Sequence, residues 1–229
     1  MAVRTSRANL GHCETVAREN DAQHGVREGR AKSGAPLNLT LGAMKILAIS
    51  GSLRKASLNT ALLRAIARIA PPEIEVTLYR SLGDLPLFNP DIEATEPASV
   101  VALREQILAS DALLIASPEY AHGVTGAIKN ALDWMVGNES FVNKPVALLN
   151  TSTRATHAQA ALRETVATMS ARLVDGACIT IPLLGSGFSE DDIVQHPDIK
   201  FALLAALLLL KAAAQSAAPE QGNETRVAS

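Results

Sequence analysis

The sequence predicts an α/β domain with a parallel, doubly wound β-sheet. Short apolar runs typical of buried strands alternate with segments of helical periodicity from Met44 onward. The links between these segments are short, and two of the runs, 111–116 and 144–149, are apolar almost throughout. Continuous apolar runs are typical of strands that helices cover on both faces. Alternation of strands and helices with short links predicts that the sheet is parallel and doubly wound.

The first predicted unit is a strand, a polar turn and a helix. An apolar run from Met44 to Ser50 predicts the strand, and the helical pattern spans 58–69. Ser57 precedes that pattern and is a favoured N-cap residue. Pro71-Pro72 then ends the helix, because proline cannot continue the backbone hydrogen bonding.

The remaining elements follow by the same criteria. Alternating or continuous apolar runs predict four more strands, at 74–79, 111–116, 144–149 and 172–181. Helical patterns predict helices at 98–109, from about Thr125 to a C′ residue at Gly137, and at 155–169.

A last helix is predicted from the run Phe201–Leu210, which is apolar on every face. This run is too short for a membrane span, which needs about 20 residues, so we expect no membrane partner. A helix that is apolar all round must be buried. We expect it to cover the sheet on one side and to contact a partner subunit on the other.

Composition favours one globular domain with appendages. The chain has 229 residues and 48% of them are hydrophobic, which is enough for a substantial core. A net charge of −2 and 3% aromatic residues argue against a nucleic-acid partner. Cys13 and Cys178 lie far apart, and the histidines show no ligand spacing. We therefore expect no metal site and a reducing, cytoplasmic location.

The two ends of the chain are predicted to lie outside the domain. The stretch 1–43 is polar and lacks the apolar core of a secretory signal, so we interpret it as a disordered extension. The domain is placed at 44–214 and a flexible tail at 215–229. Met44 is a candidate for the biological start, and N-terminal sequencing of natively expressed protein tests this hypothesis.

Polar turns follow the first, third and fourth predicted strands, at 50–60, 117–123 and 150–154. Ligands of doubly wound sheets bind at the carboxyl ends of the strands, where these turns should converge. In the first turn, a helix N-terminus and Arg54 favour an anion. The turn lacks the fingerprints G-x-x-x-x-G-K-[ST] and G-x-G-x-x-G and any cysteine. A hydroxyl-rich loop of this kind suits a phosphate that is held and never transferred, such as that of FMN.

Two segments, in their order, resemble the NAD(P)H-dependent FMN reductase family, which includes quinone, chromate and azo-dye reductases. They are Gly-Ser-Leu-Arg-Lys-Ala-Ser-Leu-Asn-Thr at 51–60 and Pro-Glu-Tyr-Ala-His-Gly-Val-Thr-Gly-Ala-Ile-Lys-Asn-Ala-Leu-Asp-Trp at 118–134. The likeness covers roughly Met44 to Ile181. It implies a flavodoxin-like fold, with a five-stranded parallel sheet of order 2-1-3-4-5 and helices on both faces.

The resemblance also implies a bound FMN contacted by three loops. The first would hold the phosphate, the second would line the isoalloxazine ring, and the third would touch its pyrimidine edge. The candidate residues are, in that order, Ser52, Arg54, Ser57, Asn59 and Thr60; Pro118, Glu119, Tyr120 and His122; and Thr151, Ser152 and Thr153. Family members often have Asn after the Tyr and a glycine-rich third loop, whereas this chain has Ala121 and no glycine at 151–154.

Several of these residues have a second interpretation. Arg54 could be a solvated surface charge, and Tyr120 could pack at a strand end. Glu119 could contact the ring through its backbone or pair with a neighbouring subunit. His122 could donate to flavin or substrate, or be an ordinary polar loop residue. In the helix that follows, Lys129, Asn130 and Asp133 are expected to stabilise the helix itself, and Trp134 to lie in the core or an interface.

The implied function is that of an FMN-dependent oxidoreductase without a catalytic triad. Hydride would pass from NADPH or NADH to FMN, and then to a quinone, flavin, azo compound or metal oxyanion by a ping-pong mechanism. The alternative is a flavodoxin-like electron carrier without efficient NAD(P)H oxidation, and a weaker one is a flavin-free binding module. The resemblance also implies a homodimer or homotetramer that pairs across the helix after the second loop.

Overall fold

The computed structural model describes residues 42–216. The predicted extension at 1–43 therefore lies outside the described residues except for 42–43, and so does the predicted tail beyond 216. Within the described range the chain forms five strands: β1 (Met44–Ser50), β2 (Ile74–Leu78), β3 (Ala112–Ala116), β4 (Pro145–Leu149) and β5 (Arg172–Leu173).

All five strands are parallel, and their order is β2-β1-β3-β4-β5, which confirms the predicted sheet. The register aligns the ends of the central strands, because Ser50 pairs with Ala116 and Ala116 pairs with Leu149. The loops that follow β1, β3 and β4 therefore leave the same edge of the sheet side by side.

Helices cover both faces of the sheet. The four helices that were predicted before the last one agree with the observed bounds to within one residue. The seven helices of the described range are α1 (Leu58–Ile69), α2 (Pro90–Glu93), α3 (Ala98–Leu108), α4 (Gly126–Met135), α5 (Thr156–Thr168), α6 (Glu190–Gln195) and α7 (Pro197–Ser216).

The side chains of β1 alternate between two apolar layers. Ile46 and Ala48 pack with α1, α6 and α7, whereas Leu47 and Ile49 pack with α3, α4 and α5. This alternation places three layers in the order helix, sheet, helix, as expected of a doubly wound domain.

The predicted fifth strand, 172–181, is wrong in its length. β5 ends at Leu173, and a 3₁₀ turn occupies Asp175–Ala177 before pairing with β4 resumes around Ile179. Asp-Gly at 175–176 is turn chemistry, and it interrupts an otherwise apolar run. Where the strand is interrupted, the backbone N–H of Leu148 donates to the thiol sulfur of Cys178 at 3.3 Å.

The last helix is longer than the apolar run that predicted it. α7 has 20 residues, and by length and composition it is the one helix within 42–216 that could cross a membrane. Leu203, Leu207 and Leu210 are buried in the apolar layer shared with α1, which is the arrangement of a core helix. Phe201 is 76% exposed, so the expectation of burial holds for one face of the helix only.

Within α4, Asn130 acts differently from the prediction that it stabilises its own helix. Its amide oxygen accepts from the N–H of Phe88 at 2.7 Å, and its amide nitrogen donates to the carbonyl of Pro86 at 3.0 Å. Trp134 donates to the same carbonyl and is buried in the core, as expected. Lys129 does pair with Asp133 along the helix. α4 thus fixes the 86–88 loop through side chains on two successive turns.

Candidate functional site

The loops after β1, β3 and β4 enclose one cavity of about 600 Å³, within the usual size range of ligand pockets. Ten of the twelve residues predicted to bind a cofactor line it. They are Ser52, Arg54, Ser57, Asn59, Pro118, Glu119, Tyr120, His122, Thr151 and Ser152. Ser52 and Tyr120 therefore face the same space. Thr60 and Thr153 do not line this cavity.

The first loop presents hydrogen-bond donors at the N-terminus of α1. Ser57 caps the helix and accepts from the N–H of Thr60 at 3.2 Å. Within residues 42–216, no acceptor satisfies the N–H groups of Leu58 and Asn59. Unpaired N–H groups in a first helical turn favour an anion, and the helix dipole adds to that preference. The hydroxyl of Thr60 instead bonds the hydroxyl of Ser50 at 2.7 Å, and this bond links the first turn of α1 to the end of β1.

Gly51 lets the first loop approach the end of β3. Its N–H donates to the carbonyl of Ala116 at 2.8 Å, and its carbonyl accepts from the hydroxyl of Thr125 at 2.6 Å. A Cβ at this position would lie 2.3 Å from the hydroxyl oxygen of Ser117 and 2.7 Å from its Cβ. The first loop can therefore reach this position only with a glycine there.

The second loop contains a tight two-residue hairpin. Tyr120 and Gly123 exchange backbone hydrogen bonds of 3.1 and 3.0 Å. The residues between them, Ala121 and His122, have φ values of 49° and 58°. Two successive left-handed residues are the pattern of a type I′ turn, which favours Asn or Gly. An alanine with this φ is strained, because its Cβ crowds the backbone.

The strain at Ala121 yields a stability prediction. Ala121→Asn should raise the free energy of unfolding by about 0.5–1 kcal/mol, because asparagine tolerates the left-handed region better than alanine. Ala160→Asn is the matched control, since Ala160 is exposed within α5 and should lose stability through helix propensity. Denaturant titration measures both, and a destabilised Ala121→Asn would contradict the strain argument.

Glu119 joins the second loop to the third. One carboxylate oxygen accepts from the N–H of Ala158 at 2.8 Å, and the other lies 3.2 Å from Nδ1 of His122. Ala155 occupies the N-cap of α5 and has no side chain to cap it, so Glu119 supplies the missing acceptor. The hydrogen bond from Ala158, followed by that from His122, holds the pKa of Glu119 below its ordinary value. This side-chain role is neither of the two interpretations that the sequence allowed.

Two imidazoles lie beside this carboxylate. The side chain of His122 is 78% exposed, and its ring centroid lies 4.6 Å from that of His157 in an edge-to-face arrangement. Glu119 is the one acidic side chain that lines the described cavity, and both of its oxygens are bonded. Because Arg54 and Arg154 also line the cavity, basic side chains outnumber acidic ones there, which suits anionic ligands.

The third loop closes the other side of the cavity. The hydroxyl of Thr151 donates to the amide oxygen of Asn59 at 3.3 Å. The backbone carbonyl of Thr151 accepts from the N–H groups of Leu183 and Leu184. Ser152 accepts from the N–H of Arg154 at 3.2 Å. These bonds tie the third loop to the first loop and to the segment beyond the broken fifth strand.

Asn150, which begins the third loop of the family resemblance, also lines the cavity. Five further residues line it that the sequence analysis did not assign to it: Ala56, Leu58, Arg154, Ala155 and Leu184. Arg154 belongs to the polar turn after the fourth predicted strand, so charge within that turn is a signal that could have identified it. Leu184 carries no such signal, because backbone bonds to Thr151 bring it to the cavity from a distant part of the chain. Within residues 42–216, no group of three or more His, Cys, Asp or Glu side chains could hold a metal ion.

Comparison with known proteins gives consistent matches. The family model of NADPH-dependent FMN reductases matches residues 44–183. A quinone reductase of Escherichia coli K12 is 38% identical over 113 residues, which cover 48% of this chain and 60% of the relative. An NAD(P)H-dependent FMN reductase of Pseudomonas aeruginosa is 42% identical over 112 residues, with the same coverage of 48% and 60%.

The chain therefore spans about 60% of the length of these curated relatives. Among solved structures, FerB, a flavoenzyme NAD(P)H:(acceptor) oxidoreductase from Paracoccus denitrificans, superposes with a TM-score of 0.64. It is 29% identical, and the match covers 76% of this chain and 98% of FerB.

Proposed function

Because this chain belongs to the NADPH-dependent FMN reductase family, we propose that it binds FMN and catalyses the NAD(P)H-dependent reduction of a small acceptor. The observation that carries the proposal is the convergence of three loops on one basic cavity at the carboxyl edge of the sheet. This is the edge where doubly wound sheets bind their ligands.

The donors of the first loop fit the phosphate of FMN. The N–H groups of Leu58 and Asn59 lack acceptors within the described residues, and Ser52, Arg54 and Ser57 of the same loop line the cavity. Hydroxyl, N–H and guanidinium donors together suit a dianion that is bound and not transferred.

The second and third loops would enclose the flavin ring. Glu119 holds them at a fixed separation through Ala158, and Tyr120 lines the cavity with more than half of its surface exposed. When bound, FMN would supply the redox chemistry, which is hydride uptake from NAD(P)H and electron delivery to the acceptor. The side chains of the cavity position the ring and need no catalytic triad.

A quinone, a flavin, an azo compound or a metal oxyanion is proposed as the acceptor. The cavity is bounded by loops and opens to solvent beside Tyr120 and His122, which are both exposed. One cleft that serves two substrates in turn requires that the first leave before the second enters. Double-reciprocal plots at several NADPH concentrations should therefore be parallel, and intersecting lines would contradict ping-pong kinetics.

Absorbance spectroscopy tests the proposed function. The purified protein, incubated with FMN and freed of excess, should be yellow, should lose its colour on anaerobic mixing with NADPH, and should regain it with a quinone. A protein that takes up FMN and stays yellow with NADPH would instead be an electron carrier. A protein that takes up no FMN would be a flavin-free binding module.

Arg54 provides a test of the phosphate position. Arg54→Ala should raise the Kd for FMN about tenfold, because a charge-assisted hydrogen bond to the phosphate would be lost. Arg64→Ala is the control, since Arg64 is exposed on α1 and does not line the cavity. Quenching of flavin fluorescence measures both affinities. Equal affinities in the two variants would remove Arg54 from the site.

We further propose a cytoplasmic homodimer or homotetramer. Phe201, Leu208 and Leu209 are exposed apolar residues on α7, and Val136 and Val142 are exposed at and beyond the end of α4. Large exposed apolar side chains on neighbouring turns are typical of subunit interfaces. Sedimentation analysis tests the assembly, and a monomer at working concentration would contradict it.

A further inference from the structure

A side pocket opens beside the main cavity at the third loop. It has a volume of about 150 Å³ and is lined by Thr151, Ser152, Thr153, Arg154, Pro182 and Leu184. Four of these residues, Thr151, Ser152, Arg154 and Leu184, also line the main cavity, so the two spaces adjoin. Thr153, which the resemblance assigned to the cofactor, lines the side pocket but not the main cavity.

The polar groups of this side pocket are mostly donors without partners. Within residues 42–216 the hydroxyl of Thr153 makes no hydrogen bond. Ser152 accepts from the N–H of Arg154, which leaves its own hydroxyl hydrogen free to donate. Arg154 is exposed and binds no carboxylate or carbonyl of the described residues.

Half of the eight arginines in the described range have a carboxylate or carbonyl partner, and Arg154 belongs to the other half. Arg68, Arg104 and Arg163 bind carboxylates, and Arg172 donates to the carbonyl of Ala213 at the end of α7. The arginines that lack such partners there are Arg54, Arg64, Arg80 and Arg154. Two of these four, Arg54 and Arg154, line the main cavity from different loops.

A phosphate at the first loop has enough donors there without the guanidinium group of Arg154. The first loop already offers two N–H groups, two hydroxyls and Arg54 to a single anion. Glu119, the one acidic residue that lines the described cavity, bonds Ala158 and His122 and forms no ion pair with Arg154. The guanidinium group of Arg154 therefore lines the side pocket together with the hydroxyl groups of Ser152 and Thr153 and has no partner among the described residues.

We propose that the side pocket is a second anion subsite, in which Arg154, Ser152 and Thr153 bind a phosphate-sized oxyanion of a substrate. The proposal rests on the proposed function, because it assigns this oxyanion to a molecule that reacts in the cleft. Two sources share this chemistry. One is a phosphate of the nicotinamide nucleotide, and the other is the charged group of an anionic acceptor.

The test uses the FMN-loaded protein and an Arg154→Gln variant. Calorimetric titration with NADP⁺ and NAD⁺ measures binding without turnover. If the subsite takes the 2′-phosphate, the variant should raise the Kd for NADP⁺ about tenfold and that for NAD⁺ less than about twofold. An equal rise for both nucleotides would assign the subsite to the pyrophosphate and would also support the proposal.

The second arm measures the steady-state kinetics of wild type and Arg154→Gln with a sulfonated azo dye and with a neutral quinone. A KM that is higher in the variant for the sulfonated dye alone would identify the acceptor as the source of the oxyanion. Arg154→Lys should retain most of the affinity because it keeps the positive charge, and Arg64→Gln serves as the control outside the cavity.

Two results would overturn the subsite. One is an Arg154→Gln variant that matches wild type in both arms. The other is a raised Kd for FMN in this variant, which would place Arg154 in the cofactor site. Failure of the proposed function is a different result, because then the wild-type protein itself would take up no FMN or would not be reduced by NADPH.

Discussion

Gly51→Ala is expected to lower the free energy of unfolding by about 1–3 kcal/mol, the usual penalty for overpacking, and to weaken FMN binding. The new Cβ would lie 2.3 Å from the hydroxyl oxygen of Ser117 and 3.2 Å from its Cα, so rotating the serine side chain cannot relieve the contact. The first loop must then move away from the end of β3. This movement would also disturb the hydrogen bond from Thr125 to the carbonyl of Gly51.

Two further variants make this prediction specific. Gly126→Ala is the control, because a Cβ there meets nothing within 4 Å and the residue begins α4. It should be neutral or stabilising, since alanine favours the helix. Ser117→Gly removes the two closest clashing atoms, so the double variant should recover part of the loss in a double-mutant cycle. Thermal unfolding and FMN titration measure both properties. If Gly51→Ala is as stable as Gly126→Ala, the close approach is not required.

Glu119→Ala is expected to separate the second and third loops and to reduce kcat/KM on the order of 10²-fold, as displacement of positioning groups does. The carboxylate is the acceptor for the N–H of Ala158, and Ala155 cannot replace it at the N-cap of α5. We expect weaker FMN binding and a lower Tm in the same variant. Steady-state kinetics, FMN titration and thermal unfolding measure the three effects.

The conservative change separates positioning from charge. Glu119→Gln keeps an oxygen that can accept from Ala158, so it should retain most of the FMN affinity at neutral pH. An equal loss in Gln and Ala variants would show that charge, and not the hydrogen bond, is what matters. Unchanged FMN affinity in Glu119→Ala would contradict the positioning role altogether.

The lowered pKa of Glu119 also predicts a pH dependence of stability. A carboxyl group whose pKa is lower in the folded state stabilises the protein fully above its unfolded value of about 4.3, and this contribution is lost as the pH falls further. As the pH falls below about 4, the free energy of unfolding of the wild-type protein should therefore decrease more than that of Glu119→Gln. Denaturant titration at several pH values measures this difference.

Local patterns were sufficient for most of the fold. Periodicity and turn residues predicted α1, α3, α4, α5 and four of the strands to within one residue, because helix and strand formation depend on neighbours a few positions away. The short helices α2 and α6 were not predicted, and α7 extends beyond the apolar run that predicted it. The predicted convergence of the loops after β1, β3 and β4 followed from the parallel arrangement of the strands, whose carboxyl ends lie at one edge of the sheet. For the fifth strand, β-rich residues on both sides outweighed the Asp-Gly turn signal at 175–176, and the prediction of its length was wrong.

The sequence by itself determined the sheet, its edge of polar loops and the family, since these rest on periodicity and on two contiguous motifs. Only the tertiary structure decided that Glu119 caps α5, that Thr60 bonds Ser50 outside the cavity, and that Arg154 and Leu184 belong to it. Glu119 and Ala158 are 39 positions apart, and Leu184 reaches Thr151 across the end of the sheet. Such contacts depend on how helices pack on both faces and on where each loop is anchored, and no pattern of neighbouring residues specifies either.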